Sequence, residues 1–334
     1  MARLDDANLP PLLDRFGRLH TYVRVSVTDR CNFRCVYCLP EEGATLSPRA
    51  ELLQYEEIVR VVRVMAAMGL RRVRLTGGEP TVRRDLEQLV AGLSRLDGID
   101  EITLTTNAHR FAAQAAALRA AGLHRVNISL DSLDAARFGQ ITRGGELGAV
   151  LAGIDAAVAA GLLPVKINMV VMGGVNDDEV VPMTRWALER APAVQLRFIE
   201  YMPFDQRRHV GVSAAELRRR LVDAFGPLEP DGERHGGGPA THARIGPLVV
   251  GFISPITEHF CASCNRLRLL SDGHLRTCLA HEDTPSLRDL VRGGASDGEL
   301  AATILGIVRG KPAGHLAELE GGTAFEGIMT RIGG

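Results

Sequence analysis

Lysine is nearly missing from this 334-residue chain, cysteine is sparse, and no run of about 18 apolar residues occurs. Each scarcity excludes something. Without a long apolar run there is no candidate membrane span, and the opening MARLDDANLPPLLDRFGR lacks a signal-peptide core, so a cytoplasmic location is expected. A formal net charge of -1 excludes any general attraction to nucleic acid or an anionic membrane. Only two of the 39 basic residues, Lys166 and Lys311, are lysines; the rest are planar arginine forks. What is abundant is apolar residue, 46%, enough for a large core and for two domains.

The six cysteines fall into two triplets: Cys31, Cys35 and Cys38, then Cys261, Cys264 and Cys278. In a reducing compartment they are available to metal. Thiolates in threes suit an iron–sulfur cluster that keeps one iron open to a small ligand. Structural zinc wants four ligands, and the histidines that would complete it are His20 for the first triplet and His259 or His281 for the second.

From about 22 to 201 the chain alternates β-rich and helical runs. Strands are expected at 22–28, 72–76, 101–105, 125–130, 165–170 and 195–200, with amphipathic helices between them closed by Gly69, Gly122 and Gly161. Six βα units imply a parallel α/β sheet with right-handed crossovers, read as a partial (βα)6 TIM-like barrel; a doubly wound open sheet is the alternative. In both, ligands gather where strands end. After Pro203 the pattern changes to an α+β extension closing the barrel mouth. The expected division is a barrel domain over 1–205 and a C-terminal domain over 206–334. The stretch 232–246, rich in glycine and histidine, reads as an exposed, mobile loop.

Cationic residues interrupt apolar strands at Arg24, Arg74 and Lys166, and Arg266 and Arg268 share one face of a strand beside the second triplet. Buried salt bridges account for such residues singly. Their convergence suits a polyanion lying beside a metal.

The run from Arg24 to Cys38, RVSVTDRCNFRCVYC, resembles the radical S-adenosylmethionine (SAM) superfamily signature, and Thr76–Pro80 looks like its GGEP motif. DRFGR at 14–18, NISLDSLD, the second triplet with NRLRL, and the terminal Gly333-Gly334 extend the likeness to the branch that cyclises GTP at the start of molybdenum cofactor biosynthesis. The resemblance implies two 4Fe-4S clusters, one on each triplet. It implies SAM contacts at Tyr37, Gly78, Ser129 and Met202, with Glu79 accepting from the SAM ammonium. GTP contacts are implied at Arg24, Arg74, Thr105, Lys166, Arg266 and Arg268, and catalytic assistance from Gly333 and Gly334. Ala108 stands where that branch usually carries glycine. The implied reaction is hydrogen abstraction from ribose C3′ by a 5′-deoxyadenosyl radical, then C3′–C8 bond formation. A low-potential reductant would supply electrons, cyclic pyranopterin monophosphate synthase would act next, and homodimers are common in that branch. Two other readings stand beside it: a two-cluster peptide-modifying maturase, and a zinc or electron-transfer protein.

Overall fold

The computed structural model describes residues 9–40, 42–202, 209–233, 235, 237–279 and 284–314. Its first part runs β1 (Tyr22–Ser26), α1 (Tyr55–Ala67), β2 (Arg72–Thr76), α2 (Leu86–Ser94), β3 (Glu101–Thr106), α3 (Ala115–Ala120), β4 (Arg125–Ser129), α4 (Ala135–Thr142), α5 (Leu147–Ala159), β5 (Val165–Gly173), α6 (Val180–Leu188) and β6 (Val194–Glu200). The second runs β7 (Val210–Gly211), α7 (Ala214–Phe225), β8 (Glu229–Pro230), β9 (Thr241–Ile245), β10 (Leu248–Ile253), β11 (Arg266–Leu269), β12 (Leu275–Arg276), α8 (Leu287–Arg292) and α9 (Asp297–Arg309). All six expected strands form. The short α4, begun by Asp134 accepting from the Arg137 amide, is an addition to the expected pattern.

β1 to β6 pair in parallel in chain order. The second part does not stand apart from them. β11 adds in parallel to β1 and β10 adds in parallel to β6, so both edges of the six-strand sheet are extended by later strands. The sheet therefore continues through the boundary expected near residue 205. It is a TIM-like barrel left open: its strand path does not close. Curvature follows from the lining of one cavity. Residues of all eight strands from β11 through β6 to β10 border it, which a flat doubly wound sheet does not allow.

Alternation along each strand sorts the side chains. Val23, Val25, Val73, Leu75, Ile102, Leu104, Val126, Ile128, Ile167 and Leu196 are buried in the main hydrophobic core. Burying each contributes about 1.5–3 kcal/mol. The intervening positions, including Arg24, Arg74, Thr105, Asn127, Asn168 and Arg197, border the inner cavity. The core is thus outside the barrel wall and the polar groups are inside it.

Gly69, Gly122 and Gly161 close helices with φ of +99°, +111° and +71°. Ala108, just after β3, also has a positive φ, +59°, and is fully buried. A Cβ is strained there, a conformation that glycine adopts without penalty. Ala108→Gly is expected to stabilise the fold by about 1 kcal/mol, seen as a higher Tm, because it relieves that strain.

Before β1 the chain makes a small hook, bridged at Leu13 and Leu19. Asp14 accepts from the amides of Phe16 (2.9 Å) and Arg18 (3.0 Å) and from Arg18 Nε (2.6 Å). Arg18 Nη1 donates to the carbonyls of Cys261 and Ala313, both at 2.9 Å, and Nη2 to that of Pro312 at 2.6 Å. The hook therefore grips the backbone of the second cysteine triplet. Beneath it, fully buried His20 places Nε2 3.1 Å from Asp14 Oδ2, and its Nδ1 has no partner. Protonation would leave a bare N–H in the core; burial and the nearby Lys311 ammonium push its pKa down to about 4. The unfolded imidazole binds a proton from about pH 6.5 downward, so this neutral histidine stabilises the fold above that pH. The contribution, about 2–3 kcal/mol, is lost as pH falls from 6.5 towards 4. Urea melts are expected to show that loss in the wild type and a flatter pH dependence in His20→Gln.

Candidate active site

Both cysteine triplets border a single cavity of about 360 Å³. Cys31, Cys35 and Cys38 come from the loop after β1, Cys261 and Cys264 from the segment before β11, and Cys278 from just after β12. All six are free thiols. Parallel pairing of β11 with β1, Tyr22 opposite Arg266 and Arg24 opposite Arg268, is what brings the second set alongside the first.

Zinc at 2.3 Å from each sulfur requires sulfurs about 3.8 Å apart. Among the described residues, Asp231, Glu233 and His235 are the one set of three metal-ligand side chains with donor atoms all within 4.8 Å, so neither triplet is that tight. Three free thiols of each set at one cavity are a donor set suited to an iron–sulfur cluster. His259 turns its Nδ1 to the Pro255 carbonyl at 3.2 Å, and His281 lies outside the described residues.

The two thiol sets differ electrically. Burial pushes Cys31 up to about 11, and burial with the neighbouring Cys38 and Asp131 raises Cys35 well above the usual thiol range. At Cys264 burial acts in the same direction, but Arg266 and Lys311 overcome it and bring the thiol down to about 7.

The glycines after β2 have a steric reason. A Cβ on Gly77 would lie 2.4 Å from the Thr28 carbonyl oxygen, and one on Gly78 would lie 2.3 Å from that of Arg30. Gly78 N donates to Thr28 O at 2.7 Å and Glu79 N to Arg30 O at 2.8 Å. The pair thus lets the loop after β2 lie against the backbone that leads into the first triplet. Glu79, the expected acceptor for a ligand ammonium, borders the cavity and also has a structural role. Its carboxylate already accepts from Thr81 N (3.0 Å), Thr81 Oγ1, Thr106 Oγ1 and Asn107 N, the last three at 2.6 Å, and so ties the ends of β2 and β3 together.

Tyr37, Gly78, Ser129 and Met202 all border the cavity at its strand-end rim. Tyr37 donates to Asp131 Oδ2 at 2.7 Å, while the Val170 amide donates to Oδ1 at 2.8 Å. Burial raises Asp131 to about 6. A layer deeper lie Arg24, Arg74, Thr105, Arg266 and Arg268. Arg74 donates to the Tyr22 hydroxyl and, at 3.3 Å, to Thr105 Oγ1. Burial and Arg268 hold the Arg24 guanidinium well below its usual range. Lys166 does not reach this lining. It is buried at the floor, its ammonium donating to the His235 carbonyl, and burial with Arg197 lowers it to about 6. His235 also meets Gln195 and Asp231, so this part of the glycine- and histidine-rich stretch is anchored, and the same stretch supplies β9. Gly333 and Gly334 lie outside the described residues.

Sequence reading missed Arg197. It is 6% exposed on β6, borders the cavity, and its Nε and Nη2 have no hydrogen-bond partner. The signal was present, since VQLRFIE carries the same charged interruption of an apolar strand that marks Arg24.

Two family models match: the radical SAM superfamily over residues 25–187 and Molybdenum Cofactor Synthesis C over 194–317. GTP 3′,8-cyclase of Pelotomaculum thermopropionicum is 45% identical across 96% of this chain and 99% of its own length. That of Listeria monocytogenes is 43% identical across 91% and 92%. Among solved structures, Streptococcus suis SuiB bound to S-adenosylmethionine aligns with a TM-score of 0.60 at 16% identity, covering 89% of this chain and 69% of that one, a likeness of fold alone. With two family models side by side and relatives alike from end to end, the chain belongs to the GTP 3′,8-cyclase family of the radical SAM superfamily.

Proposed function

We propose that this protein converts GTP to (8S)-3′,8-cyclo-7,8-dihydroguanosine 5′-triphosphate, the first step of molybdenum cofactor biosynthesis. The observation that carries this reading is the single cavity bordered by both cysteine triplets and by five inward-facing arginines, Arg24, Arg74, Arg197, Arg266 and Arg268. In this reading Cys31, Cys35 and Cys38 hold a 4Fe-4S cluster at the rim, and Cys261, Cys264 and Cys278 hold a second. Bound there, the first would supply one electron to SAM, the source of the 5′-deoxyadenosyl radical that takes H3′, and one further electron with a proton from the reductant would complete the cyclised nucleotide.

The chain's own work is alignment, charge and exclusion of water. Tyr37, fixed through its hydroxyl on Asp131, offers a ring beside the first triplet, with Gly78, Ser129 and Met202 completing the SAM end. A triphosphate carries about four negative charges, and five guanidiniums inside one chamber form a counter-charge already in place. Thr105, held by Arg74, offers a hydroxyl between the two ends. Lys166 enters as a further phosphate donor if its contact with His235 is exchanged for one to substrate. A primary carbon radical attacks nearby C–H bonds without choice, so holding nucleotide and SAM in one closed space before cleavage confines the attack to C3′. A low-potential reductant and a downstream synthase that consumes the cyclised nucleotide complete the scheme. The peptide-maturase reading rests on SuiB-like folds at 15–16% identity and on no feature of this cavity.

Anaerobic iron analysis with SAM turnover tests the proposal. About eight irons per chain are expected, as two cubane clusters imply, and GTP but not ATP should promote 5′-deoxyadenosine release. Equal yields with both nucleotides would remove the guanine assignment, and tightly bound zinc in place of iron would remove the radical chemistry. Arg197→Met isolates the charge role. It is expected to weaken GTP binding by about tenfold to a hundredfold in calorimetry, the loss of one charge-assisted contact, while leaving SAM affinity and Tm undiminished.

A further inference from the structure

Lys311 lies two residues past the end of α9 and is 3% exposed. Its ammonium faces three acceptors: Cys264 Sγ at 3.6 Å, the Arg266 carbonyl at 2.9 Å, and the Thr277 carbonyl, closer still. Three acceptors match the three N–H bonds of a charged lysine. Arg266 lies two residues beyond Cys264 and Thr277 precedes Cys278, so one ammonium ties β11 to the segment that carries the third thiol. Arg266 Nη2 approaches the same sulfur at 3.8 Å. Cys264 is therefore met by two cationic donors. At the first triplet the donors to Cys31 are neutral, the Phe33 amide at 3.3 Å and the Asn107 side-chain amide at 3.9 Å, and the carboxylates of Glu79 and Asp131 stand nearby.

Reduction adds negative charge that spreads onto the thiolate sulfurs, and cationic N–H···S contacts stabilise the reduced state. We propose that Lys311 is a positioning residue of the second metal site, which joins the Cys264 and Cys278 segments and makes the cluster they hold easier to reduce than the one at the rim. This rests on the two-cluster reading above. It gives the nearly lysine-free chain a reason for one of its two lysines: a compact ammonium sends three N–H bonds to points around one atom, whereas a guanidinium spreads its donors in a plane.

The test uses the full chain with Cys31, Cys35 and Cys38 all changed to alanine, so that electron paramagnetic resonance reports the second cluster alone during an anaerobic redox titration. Lys311→Met is expected to lower the reduced-to-oxidised ratio at a given potential by tenfold or more, a midpoint about 59 mV more negative for one electron. Lys311→Arg, which keeps the charge, should stay within threefold of the parent. A Met variant with full iron and an unchanged midpoint overturns the proposal, as do Met and Arg variants that shift equally. If the Met variant assembles no cluster while the Arg variant does, retention by charge supports it. A parent that itself binds no iron at this site refutes the two-cluster reading instead.

Discussion

Four in-register residue pairs between β1 and β11, from Tyr22–Arg266 to Val25–Leu269, hold the chamber together. Separated by more than two hundred residues, these strands become neighbours in one parallel sheet. Arg24 then lies between Arg74 and Arg268 across three adjacent strands, and the loop bearing the first cysteines faces the segment bearing the second. The Arg18 contact with the Cys261 carbonyl reinforces the same approach. A parallel pair with such a separation repays its closure entropy only through the core it completes, here Leu267 and Leu269 packed beside Val23 and Val25.

That pairing imposes an electrostatic cost. Arg24 is lowered by burial and by Arg268, Arg268 is brought to about 10 by burial and Arg266, and Arg197 to about 9 by burial and Arg74. Like charges inside an apolar wall repel, and the fold supports them because about 60 buried hydrophobic side chains lie outside that wall. A polyanionic ligand in this cavity would offset the repulsion that weakens the empty fold. Tyr22 shows the compromise at the scale of one group. Burial opposes its ionisation, yet Arg74 and Arg24 lower its pKa, and its hydroxyl accepts from Arg74.

The strands and most helices were legible because apolar alternation and glycine stops are local signals. The cysteine spacing was legible because it is a chemical pattern needing no fold. What escaped depended on contacts distant in sequence. β10 and β11 read as part of a separate extension, because nothing local says that a short strand will pair in parallel with one far back in the chain. Glu79 read as a ligand contact, and the fold adds a second role without a local signal, the tie from its carboxylate to the Thr106 hydroxyl on β3. The hook at Asp14–Arg18 counted only as a motif, its purpose lying in carbonyls about 240 to 300 residues away. Lys166 was singled out correctly as a buried oddity, but its partner, a backbone carbonyl in a glycine-rich stretch, has no sequence signature.

The two cysteine sets sit in opposite electrostatic surroundings. At the rim, thiols sit among neutral donors and near carboxylates, conditions that disfavour added negative charge and so suit a strongly reducing centre. At the other site thiols sit among Arg266, Arg268 and Lys311, which favour bound anions and thiolates alike. Under the proposed function, a centre that passes an electron to SAM would gain from the first environment, and one that holds a nucleotide would gain from the second. The sheet keeps the two ends apart along the strands, with Arg266 and Arg268 on the added strand β11 beside the second thiols, and Tyr37, Gly78 and Ser129 at or beyond the far ends of β1, β2 and β4.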